Sequence, residues 1–252
     1  MQIRPGIELA SVTDIGCVRE NNEDYFCYWE PSRDSEFERK GRLLIVADGM
    51  GGHEGGQEAS HIAVETVQQA YAAAREGDPR LWLLDGFQEA HERIHQFAFE
   101  HPDLHGMGTT CTAVALLGYD LYYAHVGDSR LYLMRDSHLY RITRDHSYVG
   151  RLVEQGIISP EEANSHPQRN ILTAALGTGA DLLPESPEQP ILLEVGDLLL
   201  LCSDGLWSLL SDDELQDAAS SGTPEKVAAQ LVEQAKDRGG VDNITVQIVR
   251  ME

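Results

Sequence analysis

Apolar residues in this chain fall into short runs, β-branched or aromatic, bounded by Gly, Asp and Pro, which is the pattern of strands. They form three groups. The first is "GIELASVTD", "DYFCYWE" and "LLIVAD"; the second is "TTCTAVALL", "LYYAHVGDSRLYLMR" and "LYRIT"; the third is "ILLEV", "LLLLCSD" and "ITVQIV". The short gaps Gly118-Tyr119-Asp120 and Asp136-Ser137 predict antiparallel hairpins. The charged stretch 31–42, "PSRDSEFERKGR", reads as an exposed hairpin loop. Between the strand groups the period changes. Residues 57–75 are rich in strong helix formers, and over 81–99 Leu84, Phe87, His91, Ile94 and Ala98 share one helical face. Ser159-Pro160-Glu161-Glu162 and Ser211-Asp212-Asp213-Glu214 carry the capping-box spacing, and a last helix follows Thr223-Pro224. Antiparallel strand groups separated by pairs of helices predict an α+β layered fold rather than a doubly wound parallel sheet.

Length adds little to that picture. The 252 residues suit one or two domains, and no linker or repeat divides them. Charge adds more. Nineteen basic residues face 42 acidic ones, a net −23. Nucleic acid and anionic membrane surfaces are poor partners for such a chain, because both require clustered Lys and Arg. Most of these acids read as solubility, leaving a minority for metal ligation. Cys17, Cys27, Cys111 and Cys202 are scattered without a C-x-x-C pair, which speaks against a thiolate zinc site or a disulfide framework. The N-terminal segment has no apolar core of signal-peptide length, and the run Leu198 to Cys202 is too short to span a bilayer. A soluble, cytoplasmic protein is expected.

Several acids sit where strands end. "LLIVA" runs into Asp48-Gly49, "YYAHVG" into Asp128, and "LLLLCS" into Asp204-Gly205. Asp242-Asn243 precedes "ITVQIV", and Asp24, after Glu23, opens "YFCYW". A single Asp-Gly is a common solvated turn. Five acids abutting apolar strands raise a second reading. Strand ends packed side by side gather the carboxylates, and gathered carboxylates repel one another unless a cation neutralises them. Oxygen ligands suit Mg²⁺ and Mn²⁺. Two such ions roughly 3.5–4 Å apart can clamp a phosphoryl group for in-line attack. The glycines after Asp48 permit close backbone approach. They do not form a Walker loop: Gly51-x4-Gly56 has the spacing, but Gln57-Glu58 stand where Lys-Ser/Thr is needed.

The segments "VRENNED" (Val18–Asp24), "VADGMGGHEGG" (Val46–Gly56), "MGTT" (Met107–Thr110), "HVGDSR" (His125–Arg130), "DHS" (Asp145–Ser147), "CSDGLW" (Cys202–Trp207) and "GGVDNITV" (Gly239–Val246) resemble, in order, the motifs of metal-dependent protein phosphatases, the PPM or type 2C family. "GRLVEQGIISPEEANSHPQRNILTAALG" further resembles the bacterial branch. The resemblance covers nearly the whole chain. It implies a four-layer αββα sandwich, two antiparallel sheets flanked by helices, in a single domain 1–252 with a flap subdomain at about 148–175 beside the site. It implies hydrolysis of phosphoserine and phosphothreonine in proteins with two Mn²⁺ or Mg²⁺ ions and attack by a metal-bridging hydroxide. On that resemblance Asp48 bridges the ions with the Gly49 carbonyl on one of them, Asp204 and Asp242 complete the pair, and Asp24 acts mainly through water with Glu23 nearby. Arg19 takes the phosphate through its planar fork. Asp128 and Asp204 correspond to a third-metal pair. Phosphorylated proteins, a Ser/Thr kinase or its substrates among them, are the implied partners, and the protein is expected to be a monomer. One departure stands out. Many eukaryotic relatives carry a histidine, proposed as general acid, where Met50 stands. Met50 cannot donate a proton, so His53 or metal-bound water is left for the leaving group.

Other readings compete. "HERIH" fits the zinc metalloprotease helix through His91, Glu92 and His95, with His101 where a third ligand falls, yet Ala98 replaces the glycine needed for the turn and His91 lies on the apolar face. "CYWEPSR" has the C-x5-R spacing of a tyrosine phosphatase loop through Cys27 and Arg33, without its glycines and with Glu30 to repel phosphate. A phosphoprotein-binding module without catalysis is a third class, against which the retained Asp24, Asp48, Asp204 and Asp242 speak.

Overall fold

The computed structural model describes residues 3–51, 55–159, 162–163, 165–179 and 182–252. Eleven strands among the described residues build two antiparallel sheets. One has the order β1 (Ile7–Asp14), β11 (Ile244–Met251), β10 (Leu198–Cys202), β7 (Arg130–Arg135), β8 (His138–Arg141). The other runs β2 (Asp24–Trp29), β3 (Arg42–Met50), β5 (Cys111–Leu117), β6 (Asp120–Val126), β9 (Ile191–Leu192), with β4 (Gly108–Thr109) pairing the end of β3.

The period-2 pattern explains how the layers close. On β3, Leu44 and Val46 face the first sheet, while Leu43, Ile45 and Ala47 face α2 (Gly55–Ala73) and α3 (Pro79–Glu100). On β10, Leu199 and Leu201 point inward, and Leu198, Leu200 and Cys202 meet α6 (Asp212–Ala219) and α7 (Pro224–Asp237). Strands apolar on both faces are what a central layer requires. The architecture is therefore αββα, as the resemblance implied. Both hairpins form: β5–β6 through Gly118, and β7–β8 through Asp136 and Ser137, both with positive φ as a tight primed turn needs. The Ser211 capping box is complete, and the Ser159–Glu162 pair exchanges its two bonds at 2.7 and 3.2 Å, although Pro160 and Glu161 lie outside the described residues.

Four expectations need correction. Residues 31–42 are not a bare hairpin loop: they hold α1 (Asp34–Lys40), with Asp34 and Glu36 in its first turn and Arg39 and Lys40 in its last, which suits the helix dipole. Phe37 sits under the guanidinium groups of both Arg4 and Arg42, each 4.8 Å from its ring. "TTCTAVALL" is broken at Thr110, whose side chain bonds the Asp48 amide. "LYYAHVGDSRLYLMR" holds two strands in different sheets: the chain leaves β6 through Gly127 (φ +105°) and enters β7 across the sandwich. α4 (Tyr148–Glu154) opens the segment after β8, and a short helix, α5 (Asp204–Trp207), follows β10 where no helix was expected.

Candidate metal centre

Asp24 opens β2 and stands directly across from Asp48 on β3. Asp128 occupies the crossing between sheets, Asp204 begins α5 after β10, and Asp242 lies two residues before β11. Five carboxylates from five segments thus meet at one end of the sandwich, drawn from both sheets.

The backbone beneath them is locked by hydrogen bonds. The Asp48 carbonyl accepts from the Thr110 amide and the Thr109 hydroxyl, both at 2.9 Å, and the Asp48 amide donates to Thr110 Oγ1 at 2.9 Å. Thr110 Oγ1 in turn meets Ser129 Oγ at 2.7 Å, beside Asp128. Gly49 donates to the Glu23 carbonyl at 3.1 Å, and a Cβ there would lie 2.0 Å from the Gly56 carbonyl oxygen, so only glycine fits this approach. Asn243 ties the loop carrying Arg19 and Glu23 to the Asp242 strand. Its Oδ1 accepts from the Glu23 amide at 2.8 Å, and its Nδ2 donates to the carbonyls of Ile15 and Asn21 at 2.9 and 3.0 Å. Ser203 donates to Asp24 Oδ2 at 2.6 Å and accepts from the Thr245 amide at 3.0 Å.

Electrostatically the cluster is short of positive charge. Burial, reinforced by Asp204 and Asp242, pushes the Asp24 carboxyl up to about 7 against the Ser203 bond that holds it down. Burial and Asp242 raise Asp204 to about 6. Asp48 stands well above the usual carboxylate range through burial and its four acidic neighbours Asp24, Asp204, Asp128 and Asp242, and Asp128 through burial, Asp204 and Asp145. Burial also raises Glu23. The nearest cation is Arg19, whose Nη2 donates to Asp242 Oδ2 at 2.6 Å with half of the side chain exposed. A second, Arg130, is held away by a two-point bond to Asp145 (3.0 and 2.7 Å) and lies 3.6 Å over the Trp207 ring. Oxygen-only donors whose mutual repulsion lifts several of their pKa values fit divalent hard cations, and nitrogen or sulfur ligands are absent from the five.

Sequence reasoning named all five aspartates, Gly49, Glu23 and Arg19, and the structure brings them together. His53 lies outside the described residues. Met50 pairs with Gly108 in β4. Sequence reasoning missed Ser203, Thr109, Thr110 and the Asn243 side chain as supports. Their signal was present, since each lies within or beside the quoted motifs. The rival sites do not assemble. His91 Nδ1 accepts from the Gly177 amide at 3.1 Å, His95 donates to the Gly179 carbonyl at 3.0 Å, and Glu92 accepts from Gln88 at 2.7 Å, so "HERIH" pins a loop. Cys27 is held protonated by burial, up to about 11, and Arg33 is exposed at the start of α1.

A cleft of about 570 Å³ adjoins Asp128 and Asp204, walled by residues of 147–154 with Ala163, Arg169 and Asn170 on one side and by residues 207–211, Glu214 and Arg238 on the other. No described helix is long and apolar enough to cross a membrane.

The chain is similar in sequence and fold to known proteins. The family model described as protein phosphatase 2C matches residues 20–236. Protein phosphatase PhpP of Streptococcus pneumoniae is 37% identical over 250 residues, covering 97% of this chain and 98% of PhpP. Among solved structures, the serine/threonine phosphatase of S. agalactiae superposes with a TM-score of 0.89 at 37% identity, over 98% of this chain and all of that one. The catalytic domain of the serine/threonine protein phosphatase PstP, solved with two manganese ions, gives a TM-score of 0.83 at 35% identity over 97% of this chain and 98% of that one.

Proposed function

Because the chain belongs to the protein phosphatase 2C family and is a protein-serine/threonine phosphatase by that membership, we propose that its five-aspartate cluster hydrolyses phosphoserine and phosphothreonine in proteins with two Mn²⁺ or Mg²⁺ ions. The observation that carries this reading is the convergence of Asp24, Asp48, Asp128, Asp204 and Asp242, with the carboxyl pKa values of Asp24, Asp48, Asp128 and Asp204 raised and a single half-exposed arginine beside them. When bound, the ions supply charge neutralisation and an activated water.

The residues of the chain then divide the remaining work. Asp48, Asp204 and Asp242 would hold the ion pair, with the Gly49 carbonyl beside them. Asp24 and Glu23 line the same mouth, and Asp128 with Asp204 offers a place for a third ion. Arg19 turns its exposed N–H groups to the phosphate and offsets charge developing on it. Thr109, Thr110, Ser203 and Asn243 keep these groups from relaxing apart, which holds the phosphate in line. The segment 148–175 acts as a flap over the neighbouring cleft within a single domain, and it meets the residues flanking the phosphorylated side chain. The physiological partners on this reading are phosphoproteins, a Ser/Thr kinase or its targets among them, acted on by a monomer in the cytoplasm.

The test is phosphate release from phosphoserine, phosphothreonine and phosphotyrosine peptides with Mn²⁺, Mg²⁺ or EDTA. Turnover of the first two that vanishes with EDTA is expected. Turnover that survives EDTA, or that is confined to phosphotyrosine, overturns the proposal. The pH–rate profile of His53→Ala decides whether that side chain supplies the leaving-group proton.

A further inference from the structure

We propose that His125, His146 and Glu185 form a second metal site, a nitrogen–oxygen site for a borderline divalent ion of the Zn²⁺ class, at the root of the 148–175 segment. Their ligand atoms all lie within 4.8 Å of one another. Two imidazoles and one carboxylate are a zinc ligand set, whereas Mg²⁺ and Mn²⁺ favour the all-oxygen cluster.

The scaffold holds the three residues rigidly. His125 is fully buried on β6, and it exchanges backbone bonds with Glu185 at 2.9 and 2.8 Å. The His146 amide donates to the Gly127 carbonyl at 2.7 Å, and its carbonyl accepts from the Thr173 amide at 2.7 Å. His146 therefore stands where the segment 148–175 leaves the core, and Glu185 follows its return.

The ring nitrogens of His125 and both oxygens of Glu185 have partners, and those partners allow an ion. His125 Nε2–H donates to the Arg144 carbonyl at 3.0 Å, while Nδ1 accepts from the Thr112 hydroxyl at 2.8 Å. The Thr112 hydroxyl also lies 3.4 Å from the Ser129 carbonyl. Moving the ring proton from Nε2 to Nδ1 turns the Thr112 hydroxyl toward Ser129, frees Nε2 for the ion, and releases no net proton. The bond from Nδ1 to a fixed acceptor is the usual support of a metal-bound histidine. The Arg144 carbonyl becomes a fourth ligand atom at hand. Glu185 accepts from Tyr123 Oη on Oε1 and from the Arg144 amide on Oε2, both at 2.9 Å, and a carboxylate with about four lone-pair directions keeps both while ligating. His146 Nδ1 receives only a long 3.4 Å bond from the Gly127 amide. Burial holds His125 neutral down to about 3 and lowers His146 as well. Neutral imidazole is the form that binds metal. An ion here joins β6 to both sides of the 148–175 segment.

The test uses the full chain carrying Asp48→Asn and Asp242→Asn, which removes the carboxylate site from the measurement. Zn²⁺ is titrated against a chromophoric chelator, and Co²⁺ is added as a spectroscopic probe. One tightly held Zn²⁺ is expected, with the strong visible bands of four-coordinate Co²⁺. His146→Gln should weaken Zn²⁺ by on the order of 100-fold and abolish the bands, and Glu185→Gln should weaken it by at least about 10-fold. Amide exchange over 147–173 should slow with Zn²⁺ in the parent and not in His146→Gln. Failure of the parent to bind Zn²⁺, or equal affinity and bands in both variants, overturns the site. Circular dichroism checks that each variant is folded, and the Co²⁺ bands of the parent test the site even where a variant unfolds.

Discussion

The aspartates around Asp48 and the triad around His125 are both ionisable clusters buried near the crossing from β6 to β7, and they are built on opposite terms. In the first, acids crowd acids: burial and mutual repulsion push up Asp24 (to about 7), Asp48, Asp128 and Asp204, and the one arginine at hand reaches only Asp242. In the second, both ring nitrogens of His125 and both oxygens of Glu185 already have hydrogen-bond partners, and burial favours the neutral imidazoles. Burial of ionisable groups therefore has two outcomes here. A cluster of one charge sign is electrostatically incomplete and invites cations, whereas a cluster of mixed donors and acceptors completes itself and yields to an ion only by exchanging one bond for another.

Asp48→Asn is the hardest blow to the first cluster. Mn²⁺-dependent phosphopeptide turnover should fall by about 10³-fold or more; a rate near that of the wild type would remove Asp48 from the chemistry. In the second cluster, His125→Ala strands the Thr112 hydroxyl and the Arg144 carbonyl and leaves a buried cavity. A loss of roughly 3 kcal/mol in urea unfolding is expected, and a loss below about 1 kcal/mol would show that the network is not what holds this end of β6.

The two clusters should also respond to pH with opposite signs. Asp24 has a folded pKa raised from 3.8 to about 7, so the stability it contributes is full below pH 4 and lost as pH rises through 7. His125 has a folded pKa lowered from 6.5 to about 3, so its contribution is full above 6.5 and lost as pH falls. Mn²⁺ relieves only the first. The rise in melting temperature on adding Mn²⁺ to EDTA-treated protein should therefore grow by a few degrees between pH 5 and 7.5. A rise independent of pH would contradict the raised carboxyl pKa values. The smallest effect belongs to His95→Ala, which removes one exposed bond to Gly179 and should cost no more than about 1 kcal/mol; a casein-cleaving activity lost in that variant would reopen the protease reading.

Strand position was legible because the core strands are apolar on both faces, and the five acids because each interrupts such a run. What escaped was long-range. Nothing in "HVGDSRLYLMR" distinguishes a hairpin from a crossing between sheets, because the choice is made by which partner buries Leu131 and Leu133. The helix in 34–40 is only seven residues long and depends on Phe37 meeting Arg4, which lies far off in sequence. The bonds of Ser203 and Asn243 span 179 and 220 residues, to Asp24 and to the Glu23 amide. Local pattern carries no trace of such pairings.

The crossing at Gly127–Ser129 has a mechanical consequence. Asp24 and Asp48 ride on one sheet, Asp204 and Asp242 on the other, and Asp128 on the connection between them. On the proposed reading, a slide of one sheet over the other would spread the oxygens that meet around a cation. Affinity for the ion is thus also a gauge of shear in the sandwich, and a substitution far away in the layer of Leu44, Leu199 and Val249 can loosen the grip on metal without touching a single ligand.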